Sequence, residues 1–273
     1  MDASIAKEQS ARVFYAVKIA SWNVNSLRVR LPQVLDWLRA QQPDVLALQE
    51  TKLVDEAFPQ TEFVALGYTA AYCGQKTYNG VALLSKTPSV DVVKGMPRWP
   101  DDQQRYVAAT VNGVRIVDLY VPNGESVGSD KYQYKLAWLA HLAGVLQEEI
   151  TRYPRLVVVG DFNIAPDDRD VHDPIAWKGS VLCSEPERAA LRQVMAVGLE
   201  DTFRWFEQPD KVFSWWDYRM AGFRRNLGLR IDLILASAEL RAVCQTSAVD
   251  RAPRALERPS DHAPVVCEFR LPA

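Results

Sequence analysis

The stretch "RLVVVGDFNIAP", residues 155–166, runs from Leu156 to Val159 without a polar side chain and then delivers Gly160, Asp161 and Asn163. A short unbroken apolar run closed by a turn residue reads as a strand covered on both faces. The same arrangement recurs along the chain. "AVKIASWNVN" (16–25) ends in Asn23 and Asn25, "DVLALQE" (44–50) in Glu50, and "VDLYVPN" (117–123) in Tyr120 and Asn123. Asp232 opens the strand "RIDLIL" (230–235), and Asp261 and His262 stand just ahead of "APVVCEF" (263–269).

Between these strands, Leu31, Val34, Leu35 and Leu38 fall at helical spacing with Pro32 near the helix start. A long helix is expected from Ser129 to Arg152, burying Leu136, Leu139, Ala143, Leu146 and Ile150 and leaving His141 on the solvated face. A third is expected over 185–197. "GYTAAYC", "GVALLSK", "SVDVVK", "RYVAATV" and "VRIVDLYV", separated by Gly, Pro and Asn turns, read as a meander, with further strands near 242–249 and 264–270. Many short strands with few helices predict an α/β fold, a four-layer sandwich of two mostly antiparallel sheets packed face to face, with helices on the outer faces. No linker is visible, so a single domain is expected over 15–273. Residues 1–14 lack a clear period and read as a loose extension.

The chain has 273 residues, 48% of them hydrophobic and 24% charged, and a net charge of −2, so any polyanion site must be local. Cys73, Cys183, Cys244 and Cys267 form no CxxC pair, which argues against a zinc ribbon or a disulfide framework and for a reducing, cytoplasmic setting. No apolar stretch approaches the ~18 residues of a membrane helix. A monomer is expected.

Strand-end carboxylates in this number are costly to bury unless they are paired or hold a cation. Oxygen-rich sets suit a hard divalent ion such as Mg²⁺, with Mn²⁺ as the alternative, and Glu50 is the best ligand candidate. His262 among carboxylates, without a nucleophile elbow, favours phosphoester hydrolysis by activated water over acyl transfer. Segment 211–230, "KVFSWWDYRMAGFRRNLGLR", sets Lys211, Arg219, Arg224, Arg225 and Arg230 against Asp217 alone and interleaves them with aromatics, a local positive excess suited to phosphate contacts. Arg251, Arg254 and Arg258 extend it.

"SWNVNSLR", "LALQETK", "LYVPNG", "VVGDFNIAP", "GLRIDLIL" and "PSDHAPV" together resemble the exonuclease III family of AP endonucleases, over about residues 17 to 270. This family belongs to the endonuclease/exonuclease/phosphatase superfamily, with the deoxyribonuclease I-like fold. The resemblance implies a Mg²⁺-dependent DNA repair nuclease acting on double-stranded DNA at abasic sites and at blocked or normal 3′ ends, leaving a 3′-hydroxyl. Glu50 would bind the metal, with Asn23 close by and Asp261 a further ligand or orienting group. Asp161 would activate water, Asn163 and Asn123 would face the phosphate, and His262, oriented by Asp232, would stabilise transition-state charge. Tyr120 would contact the phosphate or the leaving oxygen. Trp215, Leu229 and Ile231 would line a pocket for a baseless sugar. His172, where the family can carry a small residue, is expected to favour 3′ ends over internal incision. The competing expectations are 3′-end processing without internal incision, another phosphohydrolase of the superfamily, and a non-catalytic DNA binder.

Overall fold

A computed structural model describes residues 14–272. The extension expected over 1–14 lies outside the described residues except for Phe14, which already belongs to a strand. In chain order come β1 (Phe14–Asn23), α1 (Leu27–Gln41), β2 (Val45–Gln49), α2 (Gln60–Val64), β3 (Thr69–Cys73), β4 (Val81–Ser85), β5 (Val90–Lys94), β6 (Tyr106–Val111) and β7 (Val114–Tyr120). α3 (Asp130–Arg152), β8 (Leu156–Asp161), α4 (Glu185–Met195) and β9 (Leu199–Asp201) follow. The chain continues through β10 (Trp215–Trp216), α5 (Gly222–Arg225), β11 (Gly228–Leu229), β12 (Asp232–Ser237), α6 (Ala238–Arg241), β13 (Cys244–Val249) and β14 (Val265–Pro272).

Two six-stranded sheets result, ordered β13-β14-β1-β2-β4-β3 and β5-β6-β7-β8-β12-β9. Each contains one parallel pair, β1 with β2 across α1 and β7 with β8 across α3; the remaining pairs are antiparallel. Residues alternate faces along each strand. Val17, Ile19, Val45, Val107, Ile116, Val157 and Val159 therefore meet between the sheets, while Ala20, Trp22, Leu46 and Leu48 turn outward under α1. Val117, Leu119, Leu156 and Val158 turn outward under α3 and α4. The expected four layers are present.

Two local expectations need correction. His141 is not solvated: its Nε2 lies 2.8 Å from the Pro97 carbonyl and its ring packs 5.3 Å from Trp99, because the loop after β5 folds over that side of α3. The strand expected near 242–249 begins at Cys244, since α6 and a two-residue turn at 242–243 precede it.

Gly160 explains how β7 and β8 approach at the site. It holds φ +141°, and a Cβ there would sit 1.9 Å from the Leu119 carbonyl oxygen, so the parallel ladder beside Tyr120 and Asp161 tolerates no side chain.

Behind the site, Asp118 is fully buried and accepts 2.6 Å from Gln49 Nε2, which also donates 2.9 Å to Ser21 Oγ. Asp118 Oδ2 and Gln49 Oε1 are both buried without a partner among the described residues. A proton on Asp118 removes the charge and supplies a donor. Burial holds this carboxyl well above the usual range, against hydrogen bonds from Gln49 and the Ala82 and Leu119 amides. Because the folded pKa exceeds the unfolded value of about 3.9, this stabilising contribution is full below that value and is lost as pH rises toward the folded pKa. Asp118→Asn mimics the neutral acid, so its stability relative to the native chain should grow between pH 5 and pH 8. Urea melts at the two pH values check this, and an unchanged difference would remove the neutral-acid assignment.

Candidate active site

The ends of β1, β2, β7 and β8 and the start of β12 converge at one edge of the sandwich. Asn23 closes β1, Glu50 follows β2, Tyr120 closes β7, and Asp161 closes β8 opposite Asp232, its register partner on β12. Asn25, Glu50, Lys52 and Asn163 all hold positive φ, a conformation rare for non-glycine residues that turns the chain sharply as it leaves a strand.

Asp161 is 1% exposed. Its Oδ1 accepts the Asn163 amide (2.9 Å), and its Oδ2 accepts Asn23 Nδ2 (2.9 Å) and Asn163 Nδ2 (3.2 Å). Asn123 Nδ2 in turn donates 3.1 Å to Asn163 Oδ1. His262 Nδ1 lies 2.9 Å from Asp232 Oδ2, and its Nε2 faces Asp161 Oδ2 at 3.7 Å. Ser214 Oγ donates 2.6 Å to Asp232 and accepts the Ile231 and Asp232 amides, fixing the carboxylate that fixes the imidazole.

These contacts set the charges. Burial pushes the Asp161 carboxyl up, to about 7, with the Asp232 and Glu50 carboxylates adding to the rise and His262 opposing it. Burial disfavours a charged His262, yet the Asp232 and Asp161 carboxylates override it and raise its pKa to about 10. Burial, reinforced by Glu50 and Asp161, holds Tyr120 in its neutral phenol form.

Glu50, Asp161 and His262 bring potential ligand atoms within 4.8 Å of one another. A hard cation takes oxygen ligands, so within this set the candidates are the carboxylates of Glu50 and Asp161. Lys52 Nζ already sits 2.8 Å from Glu50 Oε2 and donates 2.6 Å to Asn25 Oδ1, which shows that Glu50 presents an oxygen to a cation. Asn23 bridges the two carboxylates, its Nδ2 lying 2.9 Å from Glu50 Oε1, while its Oδ1 accepts the Asn25 amide. It turns its nitrogen, not its oxygen, toward them. Asp261 is turned away, accepting from Asn25 Nδ2 (2.9 Å) and Trp215 Nε1 (3.0 Å), donors that with His262 hold its carboxyl below the usual range against burial.

The basic segment divides. Arg224 and Arg225 are exposed, and exposed Arg219 pairs with Asp217 at 2.7 Å. Arg230 is not on the surface: it is 1% exposed, bound to Asp170 (2.6 Å) and Asp201 (2.7 Å) and stacked over Phe203. Arg254 is likewise packed inward, on Tyr218 and Phe223. Leu229 and Ile231 are covered and pack with Val171 and Trp215, so they form a floor behind Trp215 and not an open lining. A cavity of about 340 Å³ opens beside Trp215, walled by His172, Trp177, Arg219 and Met220. A larger cleft of about 780 Å³ leads from Tyr120 and Asn123 past Tyr78, Arg105 and Lys131.

Sequence reasoning missed Lys135. It lies on the buried stripe of α3, where its Nζ donates to the carbonyls of Asn123 (3.0 Å) and Asn163 (2.7 Å) and pairs with buried Glu187 (2.5 Å). Burial pulls the lysine pKa down and Glu187 opposes this. The available signal was a lysine three residues before Trp138 on an amphipathic helix, at a position that should be apolar.

The model of the Endonuclease/Exonuclease/phosphatase family matches residues 20–262. Exodeoxyribonuclease III of Haemophilus influenzae is 38% identical, covering 93% of this chain and 100% of its own. The 3′ phosphatase NExo from Neisseria, solved with a product DNA hairpin, is 47% identical with a TM-score of 0.91, covering 93% of this chain and 99% of that one. An AP endonuclease from Archaeoglobus fulgidus is 38% identical with a TM-score of 0.89 over the same shares. Among the described residues no helix is long and apolar enough to cross a membrane. With this fold, these strand-end groups and these relatives, the chain belongs to the exonuclease III family of AP endonucleases within the endonuclease/exonuclease/phosphatase superfamily.

Proposed function

We propose that this protein is a metal-dependent DNA repair nuclease that hydrolyses phosphoesters at the 3′ ends of duplex DNA, releasing 3′-phosphates and terminal nucleotides, with internal incision at abasic sites its lesser activity. The observation that carries this reading is the wall beside Trp215. His172 is anchored there by its amide (3.1 Å) and Nδ1 (3.2 Å) to the Gly228 carbonyl, with its ring against Trp177. A bulky anchored imidazole narrows the space into which an unbroken strand would have to turn a baseless sugar. A strand that ends at the scissile phosphate needs no such space. The similarity to NExo, a 3′ phosphatase, points the same way.

Glu50 would hold Mg²⁺, or Mn²⁺ in its place, leaving Asp161 to act on water, and the bound ion would polarise the phosphoryl group and favour ionisation of water. The remaining roles fall to the chain itself. Asp161 is held from both oxygens and has its pKa lifted toward neutrality, the properties of a group that aims a water and takes its proton. Asn163 and Asn123 form a continuous amide pair along the phosphate side. His262, charged and fixed by Asp232, directs Nε2–H to a non-bridging phosphate oxygen, where negative charge builds up. Tyr120, kept protonated, donates to the phosphate or to the leaving 3′ oxygen. Asp261 orients Trp215 and Asn25, and Arg219, Arg224 and Arg225 meet DNA phosphates.

Asp161→Asn should lower turnover by at least ~10²-fold, the usual contribution of a general base, while the protein stays folded; steady-state assay with circular dichroism tests this, and near-normal turnover would sink the role. A duplex with a nick bearing a 3′-phosphate should be processed with Mg²⁺ and not with chelator, far faster than one with an internal abasic site. His172→Gly should raise the ratio of internal incision to 3′-phosphate release, and an unmoved ratio removes His172 from specificity. Replacing Arg219, Arg224 and Arg225 by Ala should reduce the salt dependence of duplex binding by up to about three phosphate contacts; an unchanged slope in a salt titration would take these residues off the DNA.

A further inference from the structure

Among the described residues β13 is an edge strand that pairs only with β14. The register is Ser247 to Cys267 and Thr246 to Glu268, but then Cys244 to Phe269, so Gln245 is an extra residue. Two consecutive side chains, Gln245 and Thr246, consequently point to solvent. In a regular strand, alternation from inward-facing Ser247 would turn residue 244 outward. The bulge turns Cys244 inward instead, which is how such insertions re-aim a side chain. Its sulfur lies 3.3 Å from that of Cys267. Cys244 is half-exposed and Cys267 fully buried.

From this placement we propose that Cys244 and Cys267 are a hydroperoxide-reactive dithiol that closes to a disulfide. Such a bond is about 2.05 Å long, so closure needs only roughly 1.3 Å of approach by two neighbouring side chains. The two thiols are unequal. The hydrogen bond between the two sulfurs lowers the Cys244 pKa against the effect of burial, whereas burial raises that of Cys267. Cys244, the sulfur that reaches solvent, is the attacking one, and buried Cys267 the resolving one. The Cys244 thiolate attacks one oxygen of hydrogen peroxide, breaking the O–O bond to give a sulfenic acid and hydroxide. The Cys267 sulfur then attacks the Cys244 sulfur and expels the second oxygen as hydroxide. With the two thiol protons the products are a disulfide and two waters, the thiols losing two electrons and the peroxide gaining them. Cys73 and Cys183 are buried, burial raising both thiols to about 12, so neither competes.

The crosslink would close the segment 245–266, which carries Arg251, Arg254, Arg258, Asp261 and His262. Oxidation thus tethers the loop that presents the imidazole.

The test is intact-mass analysis and peptide mapping of the full chain after brief exposure to hydrogen peroxide. The expected result is a loss of about 2 Da, a 244–267 crosslinked peptide, and a rise in Tm of about 5 °C that dithiothreitol reverses. Cys267→Ser should stop at the sulfenic acid, a gain of about 16 Da trapped by dimedone, and Cys244→Ser should not react. Two alkylatable thiols at these positions after exposure, or sulfinic acid at Cys244 with no crosslink, overturns the proposal. The native chain alone decides this even where a serine variant misfolds.

Discussion

Asp161 sits at the end of a strand with no face toward water, and every other feature of the cleft follows from making a carboxylate tolerable there. An isolated charge is strongly disfavoured in so low a dielectric. Asn23 and Asn163 supply its hydrogen bonds, and His262 supplies the opposite charge at 3.7 Å. His262 in turn is charged because Asp232 backs it, and Asp232 is held by Ser214. The chain of dependence crosses both sheets, since Asn23 belongs to β1 and Asp161 to β8. Packing of the sheets and chemistry of the cleft are therefore one problem: a shift between the sheets would separate Asn23 from Asp161 and leave a charge uncovered.

A second buried pair supports this arrangement from beneath. Lys135 uses its three donors on the Asn123 carbonyl, the Asn163 carbonyl and Glu187, while Glu187 also accepts the Leu182 and Ser184 amides. Such a pair adds little net stability, but loss of one partner strands the other's charge. Its effect is geometric. It ties the ends of β7 and β8 to the loop that carries His172, so the Asn123–Asn163 pair and the wall beside Trp215 share one anchor.

The strand-end polar groups were legible because so many carboxylates at the exits of buried strands, Asp161 and Glu50 among them, are costly unless they are paired or hold a cation. The layers were legible from apolar runs and turn residues. Contacts formed between distant segments were not. Arg230 and Arg224 look alike in sequence, yet one meets Asp170 and Asp201 in the interior and the other meets water. Leu229 and Ile231 fit any apolar pocket, and only the packing of Val171 and Trp215 over them shows that they are covered. Asp118 reads as one polar residue in an alternating strand, and its unpartnered oxygen is visible only when Gln49 is set against it. The inward turn of Cys244 depends on a bulge that leaves no mark in composition.

The position of β14 bears on how the protein is made. It lies between β13 and β1, and it pairs Val265–Pro272 with Phe14–Ser21 at nearly the full separation of the chain. Closing so long a loop is slow and waits on synthesis. β7 and β8, with Tyr120 and Asp161, can assemble while translation continues. The edge of β1 that faces β14 stays unpaired until Val265–Pro272 has been made, and Asp261 and His262 just precede that segment. A nascent chain would thus place the Asp161 carboxylate early and the His262 imidazole that faces it late, so the cluster is assembled only when the β1–β14 ladder closes across the sheet.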